Sequence, residues 1–137
     1  MADHGYYEKR PRPESRKKLI EYLGTNPVVS GIEELDYQVL RIARDGKSAL
    51  TVFLTNNYIV SQADVLEMIA AQPDINAIIT MSAWNQYTGD AKDECKRRKM
   101  GLFTFKEFLG AVYYEGQKFV EYVPPDPNKP RARSGIA

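Results

Sequence analysis

The spacing of apolar residues changes along this chain, and each change marks an element. In "ESRKKLIEYLG" the apolar residues Leu19, Ile20 and Leu23 precede Gly24, which predicts a helix with a C-terminal stop. After the connector "TNPVV", Ser30 is followed three residues later by Glu33, the spacing of a capping box. Ile32, Leu35, Val39 and Ile42 then lie close to one helical stripe, so a second helix is expected, ended by Gly46. "ALTVFLT" (Ala49 to Thr55) is short, apolar and β-branched, the pattern of a buried strand. Ser61 and Asp64 form another box, opening a helix lined by Val65, Leu66, Ile69 and Ala70. "INAIITM" (Ile75 to Met81) reads as a second buried strand. Thr88 or Asp90 can cap the helix "GDAKDECKRRK", and Gly101 to Phe103 is a short third strand. Thr104 and Glu107 make the last box, with Phe103 and Phe108 at the positions of a hydrophobic staple. "QKFVEYV" (Gln117 to Val123) reads as a final strand at an edge.

Buried strands separated by short helices imply βαβ crossovers and a parallel sheet covered on both faces. The expected fold class is therefore α/β: a single small domain over residues 14–123. It would have a short, mainly parallel sheet flanked by helices, with two leading helices outside it or at its edge. Residues 1–13, "MADHGYYEKRPRP", read as a flexible basic arm, and residues 124–137, "PPDPNKPRARSGIA", as a disordered proline-rich tail.

Composition removes several classes of chemistry. A single cysteine, Cys95, and a single histidine, His4, exclude an internal disulfide, a Cys/His zinc cluster and a triad built on a core histidine. Unpaired cysteine use fits a reducing compartment, and the chain is read as cytoplasmic. No apolar run approaches the roughly 20 residues needed to span a bilayer, so no membrane partner is expected. The start lacks the apolar centre of a secretory signal. Neither GxGxxG nor GxxxxGK occurs, so no nucleotide cofactor is implied. The formal net charge is +1, so any attraction to nucleic acid must be local.

Two strand exits are rich in polar residues. Ligands in open parallel sheets sit beyond the carboxyl ends of the strands. Here those ends carry Asn56, Asn57 and Tyr58 after the first strand, and Ser82, Trp84, Asn85, Tyr87 and Thr88 after the second. If the strands are neighbours, both groups face one crevice. Trp84 and Tyr87 could stack on a ring, with Asn56, Asn57, Ser82 and Asn85 supplying hydrogen bonds. Each exit also precedes a helix N-terminus that favours an anion. The alternative is that these are ordinary turn and cap residues, with Trp84 plugging the rim of the core.

Local basic charge lies in Lys9, Arg10, Arg12, Arg16, Lys17 and Lys18, in "KRRK" (Lys96, Arg97, Arg98, Lys99), and in the tail residues Lys129, Arg131 and Arg133. Such groups grip phosphate backbone, and Tyr6 and Tyr7 beside the arm could stack on bases. They are equally what solvated helix ends and flexible termini carry; Glu94 can pair with Arg98 four residues on.

Pro73-Asp74, followed by Asp90-Ala91-Lys92, spells the PD…(D/E)xK string of metal-dependent nucleases. That chemistry needs two carboxylates holding Mg²⁺ with a lysine beside the attacking water. Asp90 and Lys92 fall at a helix start instead, so no catalytic residue and no metal ligand is assigned. The segment "INAIITMSAWNQYTGDAKDECKRRKMGLFTFKEFLGAV" nevertheless resembles the closing half of restriction-endonuclease-like domains of the Mrr type. The resemblance lies in the order strand, Ser/Thr-aromatic turn, helix beginning near "AK", short apolar strand and helix opened by an acidic box. "ALTVFLTNNYIVSQADVLEMI" departs from it, having no Asp or ExK on its strand where that family keeps its metal site. The resemblance therefore implies a DNA-associated domain without the cleaving site. Three functions are carried forward: a non-catalytic nucleic-acid-binding domain; an assembly subunit docking a protein partner or second copy through Tyr113, Tyr114, Phe119 and Tyr122 of a C-terminal edge strand; and a sensor or enzyme for a nucleotide-like molecule.

Overall fold

The computed structural model describes residues 9–125. Helix α1 (Pro13–Gly24) leads into three successive strands, β1 (Val29–Asp36), β2 (Val39–Arg44) and β3 (Lys47–Thr55). Then follow β4 (Ile59–Val60), α2 (Gln62–Ala71), β5 (Ala77–Thr80), β6 (Gln86–Tyr87), α3 (Gly89–Arg97), β7 (Gly101–Thr104), α4 (Phe105–Ala111) and α5 (Gln117–Val120).

The five-stranded sheet has the order β1-β2-β3-β5-β7. β1, β2 and β3 form an antiparallel meander, whereas β3, β5 and β7 are parallel, with Phe53 opposite Ile78 and Ile78 opposite Leu102. The fold is thus mixed α/β, and the mainly parallel sheet expected from the spacing is corrected to one half antiparallel.

The correction comes from one segment. Where the Ser30/Glu33 spacing predicts a second leading helix, the chain makes the β1–β2 hairpin. In β2 the side chains of Leu40, Ile42 and Arg44 are buried and those of Arg41 and Ala43 exposed, the period of two of a half-buried strand. Asp45-Gly46 then turns the chain between the paired residues Arg44 and Lys47, with Gly46 at φ 70°. An Asp-Gly pair between alternating apolar runs is a strong hairpin signal, and here Gly46 alone of the two takes the left-handed φ. Gly46 ends a strand, not a helix.

The capping signals hold. Ser61 accepts from the Asp64 amide while the Asp64 carboxylate accepts from the Ser61 amide, closing a full box at α2. Thr104 and Glu107 do the same at α4, and Thr88 caps α3 by accepting from the Ala91 amide. The rings of Phe103 and Phe108 lie 6.2 Å apart, as a staple requires.

Alternation along the strands divides the core between the two faces of the sheet. Val52, Leu54, Ala77, Ile79 and Phe103 meet Leu19 and Leu23 of α1, Phe108 of α4 and Phe119 of α5 on one face. Ile78 and Leu102, with Phe53, meet Val65 and Met68 of α2 and Ala91 and Cys95 of α3 on the other. The expected last strand is also corrected. Gly116, at φ 61°, redirects the chain into the single turn α5, and Phe119 packs edge-on against Phe103 at 5.1 Å. Tyr113 and Tyr114 are exposed but Phe119 is buried, so the four aromatics do not form one docking strand.

Candidate functional site

Because β3 and β5 are adjacent and parallel, their exits lie side by side. The short strands β4 and β6 pair in parallel just beyond them, Ile59 opposite Gln86 and Val60 opposite Tyr87, and hold the two exit turns together. An open cleft of about 460 Å³ results. Asn56, Asn57, Ser82, Trp84 and Asn85 all line it. Trp84 is 59% exposed and is not a core plug. Tyr87 and Thr88 belong elsewhere. The Tyr87 hydroxyl donates to both oxygens of Glu107, at 2.8 and 3.0 Å, and Thr88 is the cap of α3.

The amides lining the cleft are ordered by one another. Asn56 Oδ1 accepts from the Ser82 hydroxyl and from Asn85 Nδ2, the latter at 2.9 Å. Asn85 Nδ2 also donates to Thr80 Oγ1 at 3.0 Å, and Thr80 Oγ1 donates to the Asn57 carbonyl at 2.8 Å. With its oxygen saturated from inside, Asn56 is left with its Nδ2 donors, which have no hydrogen-bond partner among the described residues. A preset donor in the lining of a cleft is a recognition element, because its orientation is fixed before anything binds.

One wall of the cleft comes from residues far away in sequence. The Asn56 amide donates to the Lys9 carbonyl at 2.8 Å, and the Tyr37 hydroxyl donates to the Pro11 carbonyl at 2.8 Å. Residues 9–12 of the expected flexible arm therefore lie across the strand ends, putting Lys9 and Arg12 into the cleft lining. The Arg12 guanidinium sits 5.6 Å from the centre of the Trp84 ring. Tyr58 and Ile59 supply an exposed apolar rim. Proximity of this arm to the strand exits carries no local sequence signal; it depends on Tyr37 and Asn56 catching its backbone.

The anion-binding role expected of the α2 N-terminus is already filled. Burial alone would raise the Asp64 carboxyl, but hydrogen bonds from Ser61 and Asn57, with Lys9 nearby, hold it below the ordinary aspartate value. This carboxylate neutralises the helix end from within, so attraction for an anion passes to Arg12 and Lys9.

The remaining basic residues divide into tied and exposed groups. Arg16 donates to the Tyr37 carbonyl at 2.7 Å and pairs with Glu34 at 2.6 Å, while the Arg10 guanidinium lies over the Tyr37 ring at 4.5 Å. These fasten α1 and its lead-in to the hairpin. Lys17 and Lys18 are exposed on α1. Arg97 and Arg98 both pair with Glu94, and Lys96 and Lys99 are exposed. Lys99 lines a separate hollow with Arg44, Asn76 and Glu115, at the starting ends of β3 and β5. "KRRK" and the cleft thus lie at opposite ends of the parallel strands. Tyr6, Tyr7, Lys129, Arg131 and Arg133 lie outside the described residues.

The nuclease string does not assemble. Asp74 is exposed ahead of β5, Asp90 is exposed at the start of α3, and Lys92 is buried with its ammonium donating to the Leu102 carbonyl at 2.6 Å. Lys92 Nζ also lies 4.4 Å from the Phe103 ring centre, and burial lowers its pKa. Lys92 is thus tied to β7 and packed under the sheet, away from Asp74. Among the described residues no three His, Cys, Asp or Glu side chains converge as a metal site, and no helix is long and apolar enough to cross a membrane.

Compared with family models, curated proteins and solved structures, the chain matches none of them.

Proposed function

We propose that this domain binds nucleic acid without cleaving it, through the cleft beyond β3 and β5. The observation that carries this reading is the Arg12 guanidinium 5.6 Å from the ring centre of an exposed Trp84, beside Lys9 and the Asn56 donor. A cation and an aromatic face side by side suit the two parts every nucleotide offers, a phosphate and a flat base. The resemblance to endonuclease-like domains points the same way. That reading rests on the order β5, polar turn, α3, β7 and capped α4, with no Asp or Glu on β3. By that analogy the role is association with a strand and not hydrolysis.

Anisotropy of a labelled oligonucleotide, titrated with the protein at rising salt, tests the reading. Contacts through Arg12 and Lys9 predict that log affinity falls linearly with log salt, with a slope reduced by about one in Arg12→Ala. Binding that hardly changes between low and moderate salt, or no binding at low salt, would refute it.

A further inference from the structure

We propose, resting on that nucleic-acid reading, that the cleft seats one unpaired nucleotide of a DNA or RNA strand, its base on Trp84 and its phosphate on Arg12. The volume, about 460 Å³, lies in the range of sites for single small ligands, roughly 300–1,000 Å³, and is no groove for a duplex. Bases in a duplex keep their faces within the stack, so a tryptophan ring can reach only a base that is unpaired or turned out. Trp84 offers such a face at the rim, and the Asn56 Nδ2 group, turned outward by Ser82 and Asn85, can donate to a ring nitrogen or carbonyl of that base.

Charge sets the direction of the nucleotide. Asp64 also lines the cleft and repels a phosphate. Lys9 is close enough to Asp64 to be partly offset by it. Arg12 has no ion pair among the described residues, so the phosphate settles at the Arg12 end. The carboxylate end is left for donors, which nucleotides carry as sugar hydroxyls and base amino groups. Stacking on a single ring makes the site tolerant of base identity, because every base has a π face.

Trp84 is the chain's one tryptophan, so its emission reports on this cleft and on nothing else. The protein is titrated with single-stranded DNA and RNA 12-mers, with the duplex of the same sequence and with a mononucleotide. Trp84 emission and anisotropy of the labelled strands are followed together. A single strand is expected to quench Trp84, and the tighter of the two strands identifies the source. Trp84→Ala is expected to weaken the strand roughly 5- to 150-fold, the worth of one stacked base, while Trp84→Phe keeps most of the affinity. Arg12→Gln, which retains the fluorophore, should weaken binding and reduce its salt dependence. A duplex that quenches as well would overturn the unpaired-nucleotide site and leave nucleic-acid binding through the cleft standing, whereas strands that bind with unchanged emission would overturn the site and move nucleic-acid binding off the cleft. A mononucleotide that saturates the quench at the strand's concentration would move the site to free nucleotides and also overturn it. No binding by any arm would sink both proposals.

Discussion

Glu94 shows how one side chain can decide what a charged patch is for. It accepts from Gln62 of α2 at 2.9 Å, from Arg97 at the end of its own helix and from Arg98 just after it, so it joins α2 to α3 and occupies half of the "KRRK" segment. Hydrogen bonds from Gln62, Arg98 and Arg97 lower its carboxyl pKa to about 2 from the ordinary 4.5. A carboxyl depressed in the fold adds stability that is complete above its unfolded value and is lost as pH falls toward its folded one. The melting temperature of the native protein should therefore fall more steeply between pH 4.5 and 2 than that of Glu94→Gln, with the two curves converging at the acid end. Parallel curves would show that the three donors contribute nothing through ionisation. The same residue scale explains which assignments the sequence made visible. Ser61, Thr88 and Thr104 act on amides three residues away, so spacing alone reveals them. Lys92 bonds a carbonyl ten residues on, in a strand brought there by folding, and no window of sequence shows that.

Among the elements, the β1–β2–β3 meander depends on turns, and Gly46 makes that dependence measurable. Its φ of 70° is the left-handed region, where an L side chain costs about 1–2 kcal/mol. Gly46→Ala should lower stability by about that amount in urea unfolding, although a Cβ there meets open space. Gly24→Ala, also in open space but without positive φ, is the control and should be neutral or slightly stabilising. Gly101→Ala fails for a different reason. A Cβ would lie 2.3 Å from the Phe103 ring and 3.0 Å from Phe119, both buried, and overpacking of this kind costs about 1–3 kcal/mol. This meander is also where reading by spacing went astray. Ile32, Leu35, Val39 and Ile42 fit a helical stripe only if residues 36–38 are not a turn. The Tyr37 amide donates to the Asp36 carboxylate and reverses the chain there. The alternation of β2 was hidden because one of its inward positions is Arg44, a residue that a hydrophobic pattern scores as outward. β5 and β7 are short runs buried on both faces, apolar up to a closing threonine, and hid nothing.

For the molecule as a whole, Arg44 does at one end of the sheet what Asn56 does at the other, fixing segments distant in sequence to a strand terminus. Its guanidinium side chain is 1% exposed. It donates to the carbonyls of Ser48, Val112 and Tyr114 at 2.9, 3.0 and 2.6 Å, and to Glu115 at 2.7 Å. Glu115 in turn accepts from the Ser48 amide and hydroxyl, so the β2–β3 turn and the end of α4 are locked together. The cleft's amides were legible because parallel strands gather their exits, whereas its Lys9–Arg12 wall and this lock span too much sequence to be seen in advance. The lock predicts a clean separation of stability from binding. Arg44→Ala removes donors from buried carbonyls, and losing charged hydrogen bonds of this kind costs on the order of 3 kcal/mol. Arg44→Lys keeps the charge, but a compact ammonium cannot span four acceptors laid out for a fork, so most of the loss should remain. Arg44 lies beside the start of β3, roughly 25 Å along that strand from the cleft at its end. Below their lowered melting temperatures, both variants should therefore quench Trp84 with the same strand at the same concentration as the native protein. A matching loss of affinity in the folded variants would mean that the two ends of the sheet are coupled, and that the cleft is not the self-contained site its hydrogen bonds describe.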